Sequence, residues 1–174
     1  MFNFKKLYAM KRLFLCALVA MFAFAGCGVA RQITLNAPIF SVNSNLHNYS
    51  YVYVMPTSPI TSSFGVYGGQ YGVHGGQTKT ISPSETISGY LMKIGFTPVP
   101  SVTEELADKT LVVSYGYTGR RMLSQSAYAS CIIIQMRDAK THEMVASCEA
   151  EGCGRDETDD ILQAIYSGLN AIFE

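Results

Sequence analysis

The sequence predicts an α+β domain with two layers, in which a mostly antiparallel sheet carries two helices on one face. Three observations support this class. Strand-like runs are interspersed with two helical segments, a short polar turn joins the last two runs as in a hairpin, and each helical segment is apolar on one side. A chain of 174 residues with 48% hydrophobic residues is long enough for one domain of this kind.

The N-terminal segment differs from the rest of the chain in composition. Residues 1–26 carry four basic residues and no acidic one, and they include 13 consecutive apolar residues that begin at Leu13. A membrane-spanning helix needs about 20 such residues. The shorter run behind a basic flank is therefore typical of a secretory signal, for which Met1 and Met10 are both suitable starts.

The apolar run ends in Phe24-Ala25-Gly26-Cys27, which resembles the lipobox of bacterial lipoproteins. In that family the cysteine is acylated and becomes the mature N-terminus, so the resemblance implies a lipid on Cys27. The resemblance implies three acyl chains at this cysteine, and two membrane-binding signals are already enough for stable anchoring. Residues 28–31 contain no acidic retention signal, and we therefore expect the outer membrane, facing the periplasm. The alternative is an ordinary signal peptide with an unrelated cysteine.

The charge of the mature chain excludes one class of partner. Without residues 1–26 the chain has nine basic and 13 acidic residues, a net charge of about −4. Nucleic-acid binding needs a basic surface that neutralises phosphates. We therefore expect no nucleic acid among the partners.

The domain is predicted to occupy residues 48–174, after a tether over residues 27–47 that contains several turn formers. Its first strand is Tyr49–Met55, which is rich in aromatic and β-branched residues and stops at Pro56.

A seven-residue glycine pattern follows this strand twice, over Gly65–Tyr71 and Gly72–Thr78. Glycine opposes helix by about 1 kcal/mol per residue. Residues 64–78 are therefore predicted to form a mobile loop rich in glycine and tyrosine.

The first helix carries clear start and stop signals. Ser82 is suited to the N-cap, Pro83 to the first helical position and Glu85 to a capping box. Gly95 stands where a left-handed residue ends a helix. Beyond it, Phe96–Val99 is predicted to be an edge strand because Pro98 cannot donate to a central ladder.

The C-terminal half supplies three more strands and a second helix. The strands are predicted over Leu111–Tyr117, Ala129–Arg137 and Met144–Gly152, and the helix over Asp156–Glu174. In the turn between the last two strands, His142 occupies the position of a left-handed residue.

The hairpin register follows from its polarity. If Asp138 lies opposite Met144, even-numbered residues form an apolar face and odd-numbered residues a more polar one. Cys148 is then buried. Cys131 lies opposite Glu151 and diagonal to Cys153, where a disulfide needs a bulge near Gly152 or Gly154. Cys131–Cys153 is one prediction, and two free thiols are the alternative.

The order of several motifs resembles a family of Gram-negative outer-membrane lipoproteins catalogued as a domain of unknown function. The matching stretches are Asn48–Val54, Gly95-Phe96, Ala107–Tyr115 and Asp138–Thr141, and the similarity covers about residues 46–174. The element order is also similar to small periplasmic domains such as the N-terminal domain of TolB and LpoB-type synthase activators. Such resemblances imply a fold and not an activity.

Residues with chemical potential are scattered along the chain. His47, His74 and His142 stand apart from one another, and no cysteine spacing is typical of a zinc site, so we expect no metal and no cofactor. Glu149 and Glu151 share one strand face and suggest paired carboxylates, for which a solvated face is the alternative.

We therefore expect a non-catalytic interaction or envelope-maintenance module rather than an enzyme. The membrane is one partner, through the lipid, and an envelope protein or cell-wall component is the other. Tyr67, Tyr71 and His74 on the glycine-rich segment are the candidate contacts, since tyrosine- and glycine-rich loops make adaptable interfaces. The alternative function is a small-ligand carrier or hydrolase that uses the Glu149/Glu151 face.

Overall fold

The computed structural model describes residues 34–68, 72–124 and 127–174. Within them the chain forms two α-helices and eight strands, which confirms the α+β class. The strands are β1 (Ile39–Val42), β2 (Tyr51–Val54), β3 (Ile60–Gly68), β4 (Gly72–Ile81), β5 (Thr97–Pro98), β6 (Thr110–Ser124), β7 (Ala127–Asp138) and β8 (Met144–Gly152). The helices are α1 (Pro83–Lys93) and α2 (Glu157–Phe173).

Six of these strands form one sheet in the order β1-β8-β7-β6-β2-β5. The β1, β8, β7 and β6 strands pair antiparallel, whereas β2 runs parallel to both of its neighbours, β6 and β5. The short strand with Pro98 lies at the sheet edge, as the proline predicts. The β3 and β4 strands pair only with each other.

The predicted register of the hairpin is confirmed over most of its length. Cys131 lies opposite Glu151 and Met136 opposite Ala146. At the turn the register shifts, so that Arg137 and not Asp138 faces Met144. His142 has a φ of 61°, the left-handed conformation expected of it. The even-numbered face packs into the core, and its buried hydrophobic residues are Ile132, Ile134, Met136, Ala146, Cys148 and Ala150.

The first helix has the predicted N-cap, Ser82, and the predicted left-handed glycine at its C-terminal end. Ser82 is the N-cap, and its Oγ accepts a hydrogen bond from the N–H of Glu85 at 3.3 Å. At the other end Gly95 has a φ of 107°. The N–H of Phe96 donates to the carbonyl of Leu91 at 3.0 Å, which completes a Schellman motif.

The second helix approaches the sheet closely because two glycines lie in the contact. A Cβ atom on Gly168 would lie 2.6 Å from Sγ of Cys148, and a Cβ on Gly152 would lie 1.9 Å from the carbonyl oxygen of Asp160. The first clash involves a side chain, and the second involves helix backbone. Any larger residue at position 152 therefore pushes α2 away from β8.

The predicted tether of residues 27–47 is shorter than expected. Residues 39–42 form β1, which pairs with β8, and the buried Leu46 begins a short 3-10 turn. The prediction of a domain boundary at residue 48 was therefore wrong. Turn formers on both sides of β1, Pro38 and Asn43, concealed a strand whose partner lies more than 100 residues away.

The predicted glycine-rich loop is largely a two-stranded sheet, because residues 64–68 belong to β3 and residues 72–78 to β4. Glycine weakens a strand without removing its ladder hydrogen bonds, and here Gly65 lies opposite Gly76. Threonines near the base of the ribbon favour strand, and the hydroxyls of Thr61 and Thr80 lie 2.9 Å apart.

Gly152→Ala tests the helix–sheet contact. Because the added methyl group meets helix backbone, we expect the free energy of unfolding to fall by about 3 kcal/mol, the upper end of overpacking costs. Gly89→Ala is the matched control, since its Cβ meets nothing within 4 Å and lies in α1. That variant should gain about 0.5–1 kcal/mol. Urea denaturation measures both, and equal stability of the two variants would contradict the proposed clash.

Candidate functional site

Two of the predicted functional residues, Cys27 and Tyr71, lie outside the described residues. Tyr67 lies in β3 opposite Val73, and His74 lies in β4. The structure thus places Tyr67 and His74 on neighbouring strands of one ribbon. No helix in the described part of the chain is long and apolar enough to cross a membrane.

The base of the β3–β4 ribbon contacts the N-terminus of α2 through polar side chains. The hydroxyl oxygens of Ser62 and Thr158 lie 3.1 Å apart, and Lys79 forms an ion pair with Asp159. The hydrogen bond from Lys79 lowers the pKa of Asp159. Asp156, the helix N-cap, accepts from the N–H of Asp159 at 2.9 Å. These acids therefore cap α2 and hold the ribbon.

Asp160 lies deeper in the same region and is only 3% exposed. Its Oδ2 atom accepts hydrogen bonds from Ser130 at 3.3 Å and from Arg120 at 3.4 Å, and its Oδ1 accepts from the N–H of Gly154. The Arg120 guanidinium also lies 5.3 Å from the ring centre of Tyr128. A buried carboxylate with these partners is compensated within the protein.

On the opposite face of the sheet, Glu151 is held from two sides. Arg121 donates two hydrogen bonds to it, at 2.9 and 2.6 Å, and Asn36 donates two more from its N–H and side chain, at 3.0 and 2.8 Å. These hydrogen bonds, those from Arg121 foremost, lower the pKa of Glu151 to about 2. A general acid needs the opposite shift.

The two predicted carboxylates therefore differ. Glu149 is exposed on the same strand, whereas Glu151 is a structural ion-pair partner that joins β8, β6 and the chain before β1. The sequence did not reveal this pairing. Arg121 reaches Glu151 across β7, so the contact depends on the positions of three strands.

The three described cysteines, Cys131, Cys148 and Cys153, are free thiols in the structure. Sγ of Cys131 lies 3.8 Å from Oε1 of Glu151, and burial is the main cause of its raised pKa. Cys148 is buried as predicted, which raises its pKa to about 11. The disulfide between Cys131 and Cys153 stays a prediction.

A cavity of about 460 Å³ opens where the C-terminal ends of both helices meet the chain after β1. Phe96 and Phe173 form part of its wall, with ring centres 5.8 Å apart. Two polar side chains at the cavity are already engaged, because Tyr49 donates to Asp138 at 2.8 Å and Asn45 accepts from the N–H of His47. Selective ligand sites usually aim several polar groups inward.

The histidines remain separated, since His47 lines the cavity and His142 lies in the β7–β8 turn. Among the described residues, no group of three or more histidine, cysteine or acidic side chains is placed to hold a metal ion.

The fold and these contacts define a two-layer α+β domain with an internally paired set of charges. No protein-family model matches the chain, and no curated protein is significantly similar to it. Two of the solved structures that resemble it are of the PelC dodecamer from Paraburkholderia phytofirmans. One is 11% identical, with a TM-score of 0.47, and the other, a variant, is 14% identical, with a TM-score of 0.46. Each match covers 79% of this chain and 96% of the PelC chain.

Glu151→Gln tests the ion-pair network. Loss of the charge should lower the free energy of unfolding at pH 7 by about 1.5–3 kcal/mol, the value of hydrogen bonds to charged groups. Because folding lowers the pKa of Glu151 from 4.5 to about 2, its stabilisation is complete above pH 5 and disappears as the pH falls towards 2.

The difference between wild type and Glu151→Gln should therefore shrink between pH 5 and pH 2 in urea titrations. Glu149→Gln is the control, since an exposed glutamate on the same strand should change stability by less than about 0.5 kcal/mol. A pH-independent difference for Glu151→Gln would exclude this role.

Proposed function

We propose that this protein is a lipoprotein of the outer membrane, facing the periplasm, that acts as a non-catalytic interaction module. The observation that carries the proposal is Phe24-Ala25-Gly26-Cys27 at the end of a short apolar run behind a basic flank. A lipid on Cys27 anchors the chain. The partner is an envelope protein or a cell-wall component.

The contact between Asn36 and Glu151 limits the distance from the domain to the membrane. Nine residue steps separate Cys27 from Asn36, and a fully extended chain of that length spans at most about 32 Å. The domain therefore acts close to the membrane surface.

The β3–β4 ribbon is the proposed docking element for the partner. It is separate from the six-stranded sheet, and side chains at its base, Ser62 and Lys79, hold it against α2. Tyr67 and His74 lie on its two strands, and Tyr71 stands between them in the sequence; these residue types make adaptable contacts. The alternative is a solubilising insertion without a partner.

The charge pattern supports a non-catalytic role. Glu151 is bound by Arg121 and Asn36, and Asp160 by Ser130 and Arg120, so each carboxylate serves an internal contact. The small-ligand or hydrolase alternative on the Glu149/Glu151 face loses one of its two carboxylates to an ion pair.

Cys27→Ser tests the anchor. We expect this variant to leave the membrane fraction and to lose labelling with a radioactive fatty acid, because acylation requires the thiol. Cys16→Ser is the matched control, since Cys16 lies within the apolar run and precedes the processing site. Retention of Cys27→Ser in the membrane, with labelling intact, would overturn the proposal.

Deletion of residues 66–75 tests the docking element. The cut leaves Ser62 and Lys79 in place, so the free energy of unfolding should change by less than about 1 kcal/mol. Affinity capture from solubilised envelopes should lose the partner recovered with wild type. Tyr166→Ser removes an exposed aromatic residue elsewhere and should retain it. Unchanged recovery with the deletion would assign the ribbon no docking role.

A further inference from the structure

The two edges of the six-stranded sheet differ in how well they are protected against pairing with a further strand. The β5 edge has only two residues, one of them Pro98, and proline blocks strand addition. The β1 edge, Ile39–Val42, has no charge and no proline, and its register with β8 is continuous. Ile39, Phe40 and Val42 are 72%, 53% and 43% exposed. An apolar edge strand that lacks charged residues, proline and bulges is suited to pairing with another strand.

The backbone of β1 has hydrogen-bonding groups directed at this edge. The N–H of Asn43 donates to the carbonyl of Val145, which lies opposite it, at 2.7 Å. In an antiparallel pair, hydrogen-bonded positions alternate. Ser41 and Ile39 therefore bond to β8, whereas the N–H and C=O groups of Phe40 and Val42 point outwards. No strand in residues 34–68, 72–124 or 127–174 pairs with that side.

We propose that a second copy of this chain pairs with the β1 edge, with the two β1 strands antiparallel and related by a twofold axis at Ser41. In this register Phe40 lies opposite the partner's Val42, and Val42 opposite the partner's Phe40. Four backbone hydrogen bonds then join the outward groups of both strands.

The side chains of β1 fit this register. Phe40 and Val42 lie on the helix side of the sheet, because they pair with Cys148 and Ala146 of the core face. The pairing covers these two exposed apolar side chains in each copy. Ser41 meets the partner's Ser41 on the axis as a close, non-hydrogen-bonded pair of small residues. No like charges face one another across the strand pair.

The second copy is favoured over an unrelated partner by the position of Asn36, a step that rests on the proposed lipid anchor. A twofold axis between antiparallel strands of one sheet is perpendicular to the sheet, so equivalent faces lie on the same side. Asn36 is bound to Glu151 on the face opposite the helices. Both chains therefore leave the dimer on that side, where both lipids can enter one membrane.

The anchor also compensates for the small size of a contact between two four-residue strands. Stable interfaces between freely diffusing proteins bury roughly 1,200–2,000 Å². Confinement to a membrane raises the effective concentration, so that a smaller contact suffices. The pairing should therefore be measured in the membrane and not in dilute solution.

Ser41→Cys in the full-length chain tests the pairing directly. A non-hydrogen-bonded antiparallel pair has Cα atoms about 4.5 Å apart, within disulfide range. Mild oxidation of isolated membranes should convert at least half of this variant to a covalent dimer. Ile39→Cys is the control. In the proposed register the two copies of residue 39 lie about four residues apart along the strands, near 13 Å, which is too far for a disulfide. Wild type reports any background from Cys131, Cys148 and Cys153.

A charged residue on the edge provides a second measurement. Phe40→Lys in the Ser41→Cys background should abolish the covalent dimer, whereas Met122→Lys, which is at a similarly exposed apolar position, should leave it unchanged. Equal circular dichroism of both variants confirms that they fold. Cross-linking of Ser41→Cys no greater than that of Ile39→Cys, or unaffected by Phe40→Lys, would overturn the proposal.

The anchor and the pairing fail separately in these experiments. If Cys27→Ser stays in the membrane with its label, the anchor is wrong, and Ser41→Cys still reports on the strand pairing. If Cys27→Ser is released while membrane-bound Ser41→Cys gives no dimer, the anchor stands and the twofold pairing is wrong.

Discussion

The close contact between α2 and β8 is the constraint on which the remaining structure depends. Gly152 and Gly168 allow helix backbone and sheet to approach to distances that any side chain would prevent. The core between them consists of the even-numbered residues of β7 and β8 together with buried residues of α2, among them Ile161, Ile165 and Leu169. The position of the helix in turn brings Asp160 to Ser130 and Asp159 to Lys79. A packing constraint thus determines where the acidic end of the helix lies.

Two adjacent arginines show how a strand distributes charge between two surfaces. Arg120 points to the helix layer and contacts Asp160, whereas Arg121 points to the other face and contacts Glu151. Neighbouring residues of a strand face opposite ways. The same dipeptide therefore serves two ion pairs, one beside the ribbon and one beside Asn36 in the segment that precedes β1.

The elements that could be predicted from the sequence are those with local signals. Ser82 and Gly95 mark the helix ends through their own backbone chemistry, and His142 marks a turn, so each was placed correctly. The hairpin register followed from alternating polarity within one continuous segment. In contrast, β1 is stabilised by pairing with residues 146–149, more than 100 positions away, and no local pattern contains that information.

The candidate site shows the same division. The burial of Cys148 could be predicted from the alternating polarity of β8 alone. The partners of Glu151 could not be predicted, because Arg121 of β6 and Asn36 lie far from Glu151 in the sequence and no spacing rule connects them with it. Glycine content misled the prediction for residues 64–78, since composition reports flexibility of the unfolded chain and not the ladder that forms in the folded one. Cys27 and Tyr71 lie outside the described residues, so their predictions stand on sequence alone.

The separation of the β3–β4 ribbon from the main sheet has a consequence for how this protein can diverge. Residues added or lost in opposite pairs at the ribbon tip leave the register near Ile60 and Ile81 unchanged. Ser62 and Lys79 lie near the base of the ribbon, so changes at the tip leave their contacts with α2 in place. The length of the ribbon can therefore change by pairs of residues while the helix layer keeps its position, which depends on the close packing at Gly152 and Gly168.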